Sequence, residues 1–269
     1  MKFTFDHDYH IHSQLSFCSS DPGQTAQAIL QYAKDRGLKK ICITDHYWDE
    51  NVDGASNWYK PQNFEHISKI KPLPQADGVE FLFGCETEMD KFFNVGISKE
   101  ACDKFDFIII PTTHMHMVGF TLSEEDNTVE RKAKLWIERL DALLDKDLPF
   151  EKIGIAHLNC GLMHRQDRAE FIRMLNLIPQ SEMERVFVKI AQKGCGVELN
   201  KDDVRLANDS EIEPILRIYK TAKKCGCKFY LGSDAHHPSN FESTTPIFTR
   251  VIDLLDLTED DKFHISKYN

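Results

Sequence analysis

Phe107-Ile108-Ile109-Ile110 is an unbroken apolar run, bounded by Asp106 and Pro111. A strand with one wet face alternates apolar and polar residues, so a run without alternation reads as a strand covered on both faces. Such strands belong to parallel sheets flanked by helices. Working outward, β-rich segments near 7–12, 39–44, 79–86, 106–112, 152–157, 195–200 and 228–233 alternate with stretches of helical period near 23–36, 61–71, 126–145, 167–192, 209–225 and 240–256. Pro179 is expected to divide the fourth of these stretches, because a helix interior cannot hold it without losing a hydrogen bond. Gly37, Gly194 and Gly226 each stand between a helical stretch and a strand, where glycine ends a helix at no steric cost. The alternation predicts parallel βα units.

The chain has 269 residues, 41% hydrophobic and 28% charged, which excludes wholesale disorder and a membrane protein. No Pro/Gly/Ser-rich linker divides it, so residues 1–269 are expected to form a single domain. Seven βα units in this length suggest a barrel in the size class of the eight-stranded one, with an open doubly wound sheet as the alternative. Forty-three acidic against 33 basic residues give a net charge of −10. That balance argues against a nucleic-acid surface, which needs clustered Lys and Arg. It leaves open a phosphorylated small molecule or cations. The segment Met1-Lys2-Phe3-Thr4-Phe5-Asp6-His7 lacks the apolar core of a secretory signal, and no run of about 18 apolar residues occurs. A cytoplasmic protein without a membrane partner is expected. The eight cysteines contain no CxxC pair and read as reduced thiols; Cys225-Gly226-Cys227 reads as a helix end entering a strand.

Chemistry concentrates at the C-terminal ends of the predicted strands, the rim where α/β enzymes place their sites. The first strand carries Asp8-Tyr9-His10-Ile11-His12, and a spacing of two points both imidazoles to one side. Further ends read Thr44-Asp45-His46, Gly84-Cys85-Glu86, Thr113-His114-Met115-His116, Ile155-Ala156-His157 and Gly232-Ser233-Asp234-Ala235-His236. A lone histidine after a strand is ordinarily a hydrogen-bonded rim residue. Six of seven strands ending in nitrogen or oxygen donors would leave unpaired polar groups or raw charges without a metal. The imidazole and carboxylate mixture suits Zn, Mn or Fe, and the donors exceed what one tetrahedral ion uses, which implies two or three ions.

In the order and spacing of these segments the chain resembles the PHP (polymerase and histidinol phosphatase) metal-dependent phosphoesterases. The resemblance implies a distorted seven-stranded (β/α) barrel, TIM-like, with a trinuclear metal site. It also implies a set of ligands. One metal falls on His10, His12, Glu86 and Asp234; Glu86 bridges to a second on His114 and His157; a third takes His46, His236 and Cys18. Many relatives have histidine where Cys18 stands, and a thiolate can replace it on zinc. His116, His164 and His237 are expected near substrate rather than on metal. Arg165 and Arg205 follow the fifth and sixth strands, and a guanidinium fork matches phosphate; an arginine in a similar place in the histidinol-phosphatase branch favours Arg205.

Asp8-Tyr9-His10, Asn200 with Arg205, and Gly232 through Pro238 place the resemblance closest to the monofunctional histidinol-phosphate phosphatases. The implied reaction is hydrolysis of L-histidinol phosphate to L-histidinol and phosphate, a step of histidine biosynthesis, with Asp234, His236, Glu86 and Arg205 as the catalytic group. Alternatives are a PHP phosphoesterase acting on another small phosphorylated metabolite or nucleotide, and a metal-binding barrel without turnover. Asp49-Glu50-Asn51-Val52-Asp53 could offer carboxylates to a cationic substrate, although a solvated acidic loop is its ordinary reading.

Overall fold

The computed structural model describes residues 1–19, 21–165, 167–206 and 208–265. The described residues form eight strands interspersed with α-helices: β1 His7–Ile11, α1 Ala26–Arg36, β2 Lys40–Ile43, α2 Phe64–Ile67, β3 Glu80–Phe83, β4 Cys85–Glu86, β5 Ile108–Pro111 and α3 Val129–Leu144. There follow β6 Ile153–Ala156, α4 Arg168–Leu177, α5 Gln180–Lys193, β7 Gly196–Asn200, α6 Ile212–Lys224, β8 Lys228–Gly232 and α7 Thr244–Leu254. Every strand pair is parallel, as the unbroken run in β5 predicts; that run pairs Ile108 with Ile153 and Ile110 with Ile155. Pro179 caps α5 and divides the fourth helical stretch, while Gly37, Gly194 and Gly226 all take positive φ. The expected helix at 61–71 shrinks to α2 and a 3₁₀ turn at Ser68–Ile70, and the last one begins as a 3₁₀ turn at Pro238–Ser243.

The expected parallel α/β architecture is present, whereas the described residues draw eight strands and no closed seven-stranded barrel. Hydrogen bonds draw two sheets, β1-β2-β3 and β4-β5-β6-β7-β8. The third expected strand is broken at Gly84, whose N–H bonds Ile43 before Cys85 N–H turns to Phe107 O at 3.1 Å. A Cβ at Gly84 would collide with that same Phe107 carbonyl and with Cys42 Sγ, so the chain crosses between sheets where only glycine fits. Between β1 and β8, side chains take ladder positions. Leu231 N–H donates to His7 Nε2 at 3.1 Å and Ser233 N–H to Asp8 Oδ1 at 2.9 Å. Backbone pairing resumes at the site end, where Asp234 N–H reaches His10 O at 2.7 Å and His12 N–H reaches Ala235 O at 3.0 Å.

Strands covered on both faces produce two cores. Trp136, Leu140, Phe187, Ile190 and Ile218 belong to the larger one, which packs helices on strands. Tyr9, Cys42, Leu82, Phe107, Ile109, Ala156 and Tyr230 fill the other, with Phe263 packed among them. Gly154 and Gly196 make room for its rings: a Cβ on Gly154 would lie 2.5 Å from both Phe107 and Tyr230. Behind the site, Arg139 of α3 is fully buried and donates to the carbonyls of Met89, Asp90, Thr112 and Thr121. One side chain therefore ties the loops after β4 and β5.

Candidate metal centre

Six of the eight described strands, all but β3 and β7, deliver donors at or just beyond their C-terminal ends, and two of the delivering residues, His157 (φ 59°) and Asp234 (φ 51°), hold the left-handed conformation that non-glycine residues seldom adopt. The donors converge on Glu86, which is buried at the end of β4. Its Oε2 lies 3.4 Å from His10 Nε2, 3.2 Å from His12 Nε2 and 3.1 Å from His46 Nδ1, and its Oε1 lies 3.6 Å from His157 Nε2. Asp234 faces the same imidazoles: Oδ1 is 3.4 Å from His10 and 3.2 Å from His12, and Oδ2 is 3.5 Å from His157. Donor atoms of His10, His12 and Asp234 lie within 4.8 Å of one another, as do those of His10, Glu86 and His157, and of His12, Cys18, His46 and His236. His114 groups with His157 and Cys160.

The far nitrogens of these rings are held by other groups. His10 Nδ1 meets Glu198 Oε1 at 2.6 Å and His114 Nδ1 meets Glu88 Oε2 at 2.7 Å. His12 Nδ1 donates to Ser16 Oγ at 2.9 Å, whose hydroxyl in turn donates to Asp45 at 2.8 Å. His157 Nδ1 sits 3.6 Å from Asp203. A ring nitrogen engaged in this way fixes the tautomer and leaves the other lone pair for a cation. Burial works against the charge of Glu86, but the ring of imidazoles around it, in which His10 and His12 are raised toward their charged forms, outweighs burial and holds the carboxyl well below its ordinary range. Asp234 is lowered in the same sense, against burial, by His10 and His236. Burial lowers His114 to about 4 and His116 to about 3. The buried Glu86 Oε1 has no hydrogen-bond partner among the described residues. An ionised oxygen aimed without a partner into a ring of imidazoles is what a divalent cation would satisfy, so the donor set fits metal.

The structure brings together all nine residues expected as ligands: His10, His12, Cys18, His46, Glu86, His114, His157, Asp234 and His236. All of them but His10 and His12 line, with His116, a cavity of about 370 Å³, whose remaining wall among the described residues is Trp58, Tyr59, Met117 and Leu162. Arg165 is exposed and lines an adjoining hollow with His164, sharing His116 and Leu162 with the cavity. Arg205 does not line the cavity; it lies beside Arg250, Ile247 and Leu254 in a separate hollow. His237 is also outside, capping the turn at Pro238–Ser243 and paired with Asp21 at 2.5 Å. Asp49 turns inward to Ser98 and Asn51, and its loop forms a hollow of its own. Sequence reasoning missed Glu88, Ser16, Asp203 and the role of Glu198. Their one signal was that they are carboxylates and a hydroxyl near strand ends.

The PHP domain family matches residues 8–202, well over half of the chain. The chain belongs to this family. As a PHP domain it matches a probable phosphatase of Thermoanaerobacter sp., 27% identical over 235 residues, covering 85% of this chain and 78% of the relative. A probable phosphatase of Caldanaerobacter subterraneus is 28% identical over 243 residues, covering 88% and 78%. Among solved structures the fold is shared with the histidinol phosphate phosphatase of Lactococcus lactis, solved with zinc, L-histidinol and phosphate: TM-score 0.57, 18% identity, 91% of this chain and 93% of that one. A Listeria monocytogenes protein, a candidate histidinol phosphatase by its description, gives TM-score 0.57 at 15% identity, covering 87% and 96%. Asp234 and His236 lie beyond the matched segment, yet the fold returns them to Glu86 and His12. Among the described residues no helix is long and apolar enough to cross a membrane.

Proposed function

We propose that this PHP domain is a metal-dependent phosphomonoesterase. The observation that carries the reading is Glu86, a buried carboxylate set among His10, His12, His46 and His157 with one oxygen unpartnered. His10, His12, Glu86 and Asp234 would hold one ion, Glu86, His114 and His157 a second, and Cys18, His46 and His236 a third. When bound, divalent cations neutralise the oxygens of a phosphate ester and make a coordinated water acidic enough to supply hydroxide near neutral pH. The chain's own residues do the positioning. Glu198, Glu88 and Ser16 fix the rings, and His116, kept neutral by burial, presents a buried Nδ1 without a partner among the described residues.

L-histidinol phosphate is the ester we put first. It is supported by the resemblance at Asp8-Tyr9-His10 and Gly232 through Pro238, and by the fold shared with the Lactococcus protein. A second reading, another small phosphomonoester, is favoured by one observation: among the described residues Glu86 and Asp234 are the only carboxylates lining the cavity, and both face imidazoles, so an ammonium group finds no free counter-charge among them. Phosphate release by zinc- or manganese-loaded protein from a panel of phosphomonoesters tests both. Histidinol phosphate should lead the panel; equal rates throughout would remove that substrate. Full metal occupancy without release from any ester would remove the phosphatase reading and leave a metal-binding domain. Asp234→Ala should lose both metal and turnover.

A further inference from the structure

Apart from His116, the wall of the metal cavity that carries no proposed ligand is built from the large side chains of Trp58, Tyr59, Met117 and Leu162. Trp58 is 38% exposed and Leu162 40% exposed, both lining the cavity beside half-buried Met117. Phe17, at 47% exposure next to Cys18, meets the Trp58 ring and continues its apolar surface. Large side chains left open at the edge of a polar site mark a place where something apolar docks. Trp58 is also held in place. Its ring stands edge-on to His46 at 5.0 Å, to Tyr59 at 4.8 Å and to Phe17 at 6.2 Å, and its carbonyl accepts from Gln62 Nε2 at 3.2 Å. Leu162 arrives from the other side of the site: it follows β6, whereas Trp58 follows β2, and in the strand order β3, β4 and β5 lie between. Among the described residues no lysine or arginine lines the cavity.

Resting on the phosphatase reading, we propose that the substrate is a phosphomonoester whose leaving alcohol bears an uncharged aromatic ring, gripped between Trp58 and the side chains of Met117 and Leu162. Hydrolysis breaks the bond between phosphorus and the ester oxygen, passes the phosphoryl group to water, and returns the ring-bearing alcohol with a proton. The neutral imidazole of histidinol is within this class; a ringless amino alcohol is not. A stacked aromatic contact contributes about tenfold in affinity, corresponding to about 1.4 kcal/mol.

The test compares 2-phenylethyl phosphate with propyl phosphate and O-phosphoethanolamine, esters of primary alcohols, on the metal-loaded full chain. Turnover is measured as kcat/KM, and binding separately by calorimetry. The ring ester should be preferred about tenfold or more. Trp58→Ala should cut that ratio about tenfold and Leu162→Ala, at a residue that is not a proposed ligand, should cut it in the same direction. Equal kcat/KM and equal binding with and without the ring, or a ratio that neither variant moves, overturns the proposal. Ring-dependent binding without phosphate release from any ester keeps the aromatic subsite and removes the phosphatase reading.

Discussion

Cys18 is the residue at which this chain departs from the pattern it resembles, and its surroundings state what it can do. The sulfur lies within 4.8 Å of donor atoms of His12, His46 and His236. Without metal, burial and then the charges of Asp234 and Glu86 push the thiol well up, so an ion entering here must displace a proton to gain a thiolate. A thiolate with two imidazoles leaves a fourth position open and favours zinc over manganese. Cobalt-loaded protein should therefore show a sulfur-to-cobalt charge-transfer band. Cys18→Ser should abolish the band and release about one ion per chain, while Cys18→His should retain the ion without the band. A band that survives in Cys18→Ser would refute the assignment. The ligands were legible because two-residue spacing on a strand and position at strand ends are sequence properties. Arg205 was not: it follows a turn in which its N–H bonds Asp202, and nothing in the order of residues says that the side chain lands beside Arg250. Nor were the partners of the rings, since Glu198 meets His10 across 188 positions.

Elements were legible where a covalent constraint acts locally. Pro179 divides α4 from α5 because its nitrogen has no hydrogen to give, and Gly194 ends α5 at φ 76°. The break between β3 and β4 was hidden, because it depends on the Phe107 carbonyl approaching Gly84 from another strand. Arg139 was hidden for the same reason, sitting in an amphipathic helix where an arginine reads as solvated. Burial lowers its guanidinium to about 10, and its carbonyl partners occupy the two loops that deliver Glu88 and His114 toward the site. Arg139→Met would leave those acceptors buried and unpaired, each costing about 1–3 kcal/mol before relaxation. We expect a net loss of about 3 kcal/mol or more in urea unfolding, with weaker metal binding at His114. A loss below about 1 kcal/mol would mean that the loops are held without it.

At the scale of the whole molecule, parallel βα architecture was legible from unbroken apolar runs, whereas closure was not, because the β1–β8 seam is decided by the side chains of His7 and Asp8. Net charge was a poor guide to the site: −10 overall coexists with a pocket that would become cationic when loaded. In the metal-free protein the buried carboxylates favour protonation of the imidazoles they face. Burial opposes charge on His10 and His157, but Glu198, Asp234 and Glu86 raise the first well above its ordinary value, and Asp203, Asp234 and Glu198 raise the second. A histidine with a raised folded value stabilises the fold fully below about pH 6.5 and loses that contribution as pH rises through the folded value. His46, His114 and His236 are lowered, with burial the largest cause, and carry no such proton to lose. Chelated protein should therefore become less stable between pH 6 and pH 8.5. Loaded protein should not, because its ligands are already deprotonated by the ion. An ion held at 100 times its dissociation constant adds about 2.7 kcal/mol, or roughly 5–10 °C in Tm for a chain of this size. Scanning calorimetry with zinc or with chelator at pH 6, 7.5 and 8.5 checks the sign: the gap in Tm should widen with pH. A gap that narrows would mean that His10 and His157 are neutral in the metal-free fold, and that the negative charge of Glu86 and Asp234 is compensated elsewhere.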